Sequence, residues 1–346
     1  MNILILGAFN AGALENFYVK GFEKLSLNIE TFDISKSYYE RIGKSLINKA
    51  VNKINAVYFF NSINEQLLQF VKGKKYDIIL VFKGLVLFAE TIRQLKKFTN
   101  LICCYNPDHP FKFFAEGSGN KNILNSIKHY DIYFSYAKNI SRQLTQDWKV
   151  DSYAIPFGYD DSEASDDSSS DVNAYHNKFL FIGAYDSERS KWLRDLNIEE
   201  LNIYGDSKWS SRTKYHSYVT KAYQGKALYD AEYKTANRKA AGIINLLRKQ
   251  NIIEGSHNMR TFEVPGYGGV LIANRTVEQQ SFFEENKEAI YFDSIEELKS
   301  RIGYLKTNPH VVSSIKEAAL KRSANSGYSY NHRSSEMHVI FKKYLQ

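Results

Sequence analysis

Two stretches of this chain bring together side chains that could do chemistry. The first runs Gly255-Ser256-His257-Asn258-Met259-Arg260-Thr261-Phe262-Glu263-Val264-Pro265-Gly266-Tyr267-Gly268-Gly269. It opens polar, takes helical spacing through Met259, Phe262 and Glu263, and breaks at glycines before an apolar run. Arg260 and Glu263 stand three apart and so share one helical face. Such a pair can form a surface ion pair contributing under about 1 kcal/mol. It can equally divide a nucleotide, with arginine on phosphate and the carboxylate accepting from two ribose hydroxyls. Spacing leaves both readings open.

The second stretch is Asn106-Pro107-Asp108-His109-Pro110. Its prolines restrict the backbone and hold Asp108 and His109 in a fixed turn. An aspartate or histidine fixed at the carboxyl end of a strand can act as a general base or bind sugar hydroxyls. A rigid structural turn is the alternative. Lys83-Gly84 ends another strand, and Gly7-Ala8-Phe9-Asn10-Ala11-Gly12 follows the first. That loop is neither a dinucleotide fingerprint nor a Walker loop, and reads as a strand-to-helix turn open to close approach. Gly183-Ala184-Tyr185-Asp186-Ser187-Glu188-Arg189 is a similar turn. There small residues and a helix N-terminus could meet phosphate, with Arg189 and Lys191 offsetting its charge.

The elements that position these residues follow from apolar periodicity. Strand-like runs are Ile3–Leu6, Asp77–Phe82, Leu101–Tyr105, Asp131–Ser135 and Ser152–Ile155, with helical segments such as Asn61–Lys72 and Glu90–Lys97 between them. Continuous apolar strands separated by helices predict a parallel sheet covered on both faces, the doubly wound α/β architecture. Residues 160–171 then turn acidic and serine-rich, which predicts a solvated linker. The pattern restarts at Lys178–Gly183 and continues through Leu201–Tyr204, Ala241–Leu246, Gly269–Ala273 and Ala289–Phe292. The chain ends in amphipathic helix, about Pro309–Lys321 and His332–Tyr344. Two such domains facing across a cleft would present their loops at the carboxyl ends of the strands, where ligands bind.

Bulk composition agrees with this division. A chain of 346 residues suits two α/β domains. Its net charge of +8 suits phosphorylated small molecules or an anionic membrane face. No run of five or more Lys/Arg occurs and no nucleic-acid motif is present, so nucleic acid is not an expected partner. Cys103 and Cys104 are adjacent in an apolar run. They are expected to be buried packing residues, because neighbours in a strand point to opposite faces. No apolar stretch approaches a membrane span and no secretory signal is visible. The expected location is the cytoplasm, with peripheral contact at the inner face of the membrane left open.

Asn258-x-Arg260-x-Phe262-Glu263 followed by Gly268-Gly269-Val270-Leu271 resembles the C-terminal domain of the CgeB-like glycosyltransferases of spore-maturation-protein type. That group is related to the GT-B family 4 transferases. The resemblance extends through Phe282–Glu288, Phe292-Asp293-Ser294, Glu297-Leu298 and Tyr330-Asn331-His332-Arg333. Upstream it takes in Phe181-Ile182-Gly183 with Arg189, and Ile203-Tyr204-Gly205 with Trp209. It covers about residues 176–346 and is looser before that.

The resemblance implies a GT-B fold of two Rossmann-like domains. An acceptor-binding domain would span 1–157, a linker 158–176, and a donor-binding domain 177–346, the final helix packing back on the first. It implies transfer of a hexosyl or related group from a nucleotide-sugar to a glycan, lipid-linked or protein acceptor, with no cofactor and no obligatory metal. Gly183, Arg189, Tyr204, His257, Asn258, Arg260, Glu263, Gly268 and Gly269 would lie on the donor side. Gly7, Asn10 and Lys83 would lie on the acceptor side, with Asp108 or His109 activating the acceptor hydroxyl. Related enzymes often carry a second glutamate at the position of Gly255, where this chain departs from the pattern. A nucleotide-sugar epimerase and a non-catalytic protein of spore or envelope assembly are the rival readings.

Overall fold

The computed structural model describes residues 1–54, 57–112, 118–162, 174–213 and 217–346. The chain divides into two compact units, Met1–Pro156 with Tyr330–Gln346, and Phe157–Ser329. Residues 163–173, the body of the expected linker, lie outside the described residues.

The first unit runs β1 (Asn2–Gly7), α1 (Leu14–Lys24), β2 (Asn28–Asp33), α2 (Lys36–Gly43), α3 (Leu46–Ile54), α4 (Val57–Val71) and β3 (Tyr76–Phe82). It continues through α5 (Ala89–Leu95), β4 (Thr99–Asn106), α6 (Lys121–Ser126), β5 (Ile132–Ser135), α7 (Lys138–Trp148) and β6 (Asp151–Ala154). The six strands form one parallel sheet in the order β2-β1-β3-β4-β5-β6. Ile3–Leu6 and Ile78–Val81 are fully buried, as apolar runs are when helices cover both faces of a sheet. Cys103 and Cys104 are free thiols buried within β4, and burial pushes Cys104 up to about 12.

The second unit runs β7 (Phe179–Ile182), α8 (Ser187–Leu196), β8 (Leu201–Tyr204), α9 (Lys208–Ser211), α10 (Ser217–Ala222), α11 (Asp230–Lys239) and β9 (Gly242–Asn245). Then follow α12 (Lys249–Glu254), α13 (Arg260–Gly266), β10 (Leu271–Asn274), α14 (Val277–Phe282), β11 (Ile290–Phe292), α15 (Ile295–Thr307) and α16 (Pro309–Asn325). Its five strands are also parallel, in the order β11-β10-β9-β7-β8. In each sheet the winding reverses beside the first strand, between β1 and β3 and between β7 and β9. Such a switch point opens a crevice at the carboxyl ends of the strands.

The last helix, α17 (Tyr330–Leu345), belongs to the first unit. It lies along α1, where Gly21 permits the approach. A Cβ at Gly21 would stand 2.2 Å from Ser334 Oγ. Phe17 stacks on Tyr330 with centroids 4.9 Å apart, and Phe22 packs against Phe341, which is fully buried. No helix among the described residues is long and apolar enough to cross a membrane.

Candidate functional site

In the second unit the chain leaves β7 at Gly183. The Gly183 amide donates to the Tyr204 carbonyl at 2.8 Å, and its carbonyl accepts from Trp209 Nε1 at 2.8 Å. Tyr204 therefore holds this turn through its backbone, while its side chain is buried near Tyr175. Asp186 then caps α8, accepting from the amides of Glu188 and Arg189 at 2.9 and 3.2 Å. This corrects the expectation that the amides of this helix end would meet phosphate, since the chain's own carboxylate takes two of them. Lys191 is likewise occupied, in an exposed pair with Glu188.

Arg189 points inward. It is 8% exposed, and its Nε donates to the Leu246 carbonyl just beyond β9 at 3.0 Å. The guanidinium thus spans the switch point from α8 to the end of β9. Burial first, and then the charges of Arg260 and Arg248, lower Arg189 to about 9. Arg260 starts α13 and Arg248 precedes α12. None of the three arginines forms an ion pair among the described residues. The buried Nε of Arg260 has no hydrogen-bond acceptor among the described residues. Three neighbouring guanidiniums, one with a buried donor that has no acceptor among the described residues, are suited to bind an anion.

Asn258 fixes the start of α13 to the end of β9. Its amide and that of Asn245 exchange two hydrogen bonds of 3.0 and 2.9 Å. Glu263 follows one turn after Arg260 and is 8% exposed. Its Oε2 accepts from the Tyr233 hydroxyl at 2.9 Å, and Oε1 has no protein partner among the described residues. Burial raises its pKa, opposed by the Arg260 charge and the Tyr233 bond. Arg260 and Glu263 form no ion pair, so the surface-pair reading of their spacing does not hold. Beside Arg189 a cavity of ≈ 300 Å³ opens at the ends of β9, β10 and β11, lined by Trp192, Leu246, Asn274 and Phe292 among others.

Three residues expected at the donor stand elsewhere. His257 is fully buried, with Nδ1 2.7 Å from Glu278 Oε2 and Nε2 accepting from the Phe157 amide at 3.4 Å. Both ring nitrogens are committed within the protein, so His257 orients the segment leading to Asn258 instead of touching a ligand. Gly268 and Gly269 end α13 and precede β10, at the amino end of that strand. Gly268 takes φ +78°, and a Cβ on Gly269 would stand 2.9 Å from the Asn237 carbonyl. The chain needs glycine there to reverse from helix to strand. The absent second glutamate also has a local cause. Gly255 ends α12 in the left-handed region at φ +62°, which a side chain would strain.

In the first unit, Gly7, Lys83 and Asp108 all stand at the carboxyl edge of the sheet. Lys83 takes φ +63° and Gly84 φ +74°, an unusual left-handed pair. This turn aims Lys83 Nζ at Asp108 Oδ2, 2.5 Å away, with both side chains about one-fifth exposed. Glu15, which sequence reasoning missed, sits under the β1 loop. Its Oε1 accepts from the Ala8 amide at 2.9 Å, and a Cβ on Gly7 would come within 2.4 Å of its Cγ. Burial raises the Glu15 pKa. The Asn10 side chain is exposed, and its carbonyl accepts from Asn16 Nδ2 at 2.8 Å.

His109 is a correction. It is fully buried, and its Nδ1 accepts from the Lys112 amide at 3.1 Å, closing the turn after Pro107. Burial and Lys112 lower it to about 4, so it is neutral at physiological pH and a poor base. Asp108 is the remaining candidate base. No group of three or more His, Cys, Asp or Glu suited to a metal ion occurs among the described residues.

Residues 189–338 match the family described as glycosyl transferase-like. No curated protein matches the chain. Among solved structures, sucrose-phosphate synthase from Thermosynechococcus elongatus superposes with a TM-score of 0.72 at 10% identity, covering 99% of this chain and 98% of that one. A glycosyltransferase from Rickettsia africae gives 0.65 at 14%, covering 100% and 98%. The S. aureus MnaA structure with UDP gives 0.60 at 14%, covering 100% and 97%. These likenesses establish the fold. The chain thus has the GT-B fold of two parallel-sheet Rossmann-like domains and carries a glycosyl transferase-like domain over residues 189–338.

Proposed function

We propose that the protein is a glycosyltransferase that takes a sugar from a nucleotide-sugar donor bound at the carboxyl edge of the second sheet. The observation that carries this reading is the cluster of Arg189, Arg248 and Arg260, none of which forms an ion pair among the described residues. A nucleoside diphosphate is the matching ligand. It brings two phosphates to the arginines and a ribose whose hydroxyls reach Glu263 Oε1.

The chemistry is displacement of the nucleoside diphosphate from the anomeric carbon by an acceptor hydroxyl. The departing diphosphate gathers negative charge, and the arginines stabilise it without a metal ion. Asp108, held by Lys83, is the proposed base on the acceptor side, and Glu15 and Gly7 shape the loop beside it. The proposed acceptor is a glycan, a lipid-linked molecule or a protein.

Release of nucleoside diphosphate from a panel of nucleotide-sugars, with EDTA present, tests this reading. Transfer that survives chelation supports it. A requirement for added Mg²⁺ or Mn²⁺ overturns the metal-free mechanism. Recovery of an isomerised nucleotide-sugar with no diphosphate released assigns the site to an epimerase.

A further inference from the structure

Outside both sites, the strongest surface feature lies on α2–α4 of the first unit. Ser45 caps α3, its Oγ accepting from the Asn48 amide at 3.0 Å. The helix therefore starts with Leu46 and Ile47 in its first turn, and both stand in solvent, 82% and 73% exposed. Ala50, one turn on, shares that face and is also exposed. Val57 and Tyr58, at the start of α4, are exposed as well. Isolated exposed apolar residues are ordinary, but two adjacent large ones in one helical turn mark an interaction surface.

The charge of the same segment identifies the partner. Residues 36–54 hold five Lys/Arg against one Glu, a net +4 and half of the chain's +8. Lys44, directly before α3, is exposed. A symmetric contact between two copies would set these cations against themselves. An exposed apolar helix start within a segment of net positive charge matches an anionic lipid surface. We propose that this region docks the protein on an anionic bilayer, with Leu46 and Ile47 entering the boundary between headgroups and acyl chains. Lys44 then lies over the headgroups.

The test is co-sedimentation of the full chain with vesicles of phosphatidylcholine alone and of phosphatidylcholine with phosphatidylserine. It is independent of the donor site, because no nucleotide is present. The protein should bind the phosphatidylserine vesicles, less so as salt is raised. Leu46→Ser with Ile47→Ser should weaken binding about tenfold or more with an unchanged unfolding midpoint, because both side chains are already exposed. Lys44→Glu should weaken binding to the anionic vesicles in the same way. Equal binding to neutral vesicles overturns the proposal. So does wild-type affinity in the double variant. A wild-type dimer that the double variant converts to monomer, without vesicle binding, assigns the face to self-association instead.

Discussion

Substituting Glu263 with Gln separates a ligand role from a structural one. In the structure Oε2 is taken by Tyr233 and Oε1 has no protein partner among the described residues. Glutamine keeps the shape and one acceptor oxygen, which Tyr233 can retain. Its NH2 group then faces the ribose, where it can donate but cannot accept. The loss is one charge-assisted hydrogen bond or more, about 1.5–3 kcal/mol, which is roughly ten- to a hundredfold in affinity.

Stability should move the other way. Burial raises the Glu263 pKa above 4.5, so the folded state holds this proton more tightly than the unfolded state. Its contribution is fully present below the unfolded pKa and is lost as pH rises through the folded one. Above the folded pKa, the wild type therefore bears the cost of an ionised buried carboxylate, and Glu263→Gln does not. Its melting temperature at pH 8 should equal or exceed that of the wild type. The assay is calorimetric titration of both proteins with a nucleoside diphosphate and its 2′-deoxy form. The wild type should lose affinity for the deoxy ligand, and the variant should barely distinguish the two. Equal affinity of both proteins for the ribonucleotide, with both folded, would refute the ribose role.

Three further predictions follow from local geometry. Gly21→Leu should cost about 1–3 kcal/mol in urea unfolding, because its side chain must displace Ser334 and separate α17 from α1; an unchanged midpoint would contradict that packing. The His109 ring should titrate near 4 by NMR, and a midpoint near 6.5 would show that the ring is not buried. Asp108→Asn should lower turnover while nucleoside diphosphate affinity stays near wild type; unchanged turnover would remove Asp108 as the base.

Much of the fold was legible because strands buried on both faces leave continuous apolar runs, as in Ile3–Leu6 and Phe179–Ile182. The resemblance led to the expectation that the final helix returns to the first domain, but its seat on α1 was not legible, since it depends on a glycine and a serine more than 300 residues apart. The spacing of Arg260 and Glu263 correctly put both near one helical face. It could not show that Tyr233, on another helix, takes the carboxylate, or that Asn245 anchors Asn258. Gly268 and Gly269 were legible as a turn, but glycines that precede a strand stand at its amino end, away from Arg189. At Pro107–Pro110 the rigid turn was legible, while the burial that makes His109 a backbone acceptor is a tertiary property. Glu15 carried no signal beyond its place in the first turn of a helix.

Arg260 bears most directly on the donor site, because its buried Nε has no acceptor among the described residues. The measurement is calorimetric titration of the wild type and Arg260→Ala with uridine, adenosine, guanosine and thymidine diphosphates in EDTA, with unfolding curves for both. At least one diphosphate should bind the wild type. The variant should bind it about ten- to a hundredfold more weakly while remaining folded. Failure of every diphosphate to bind, or equal affinity in the folded variant, would contradict a nucleotide-sugar site at these arginines.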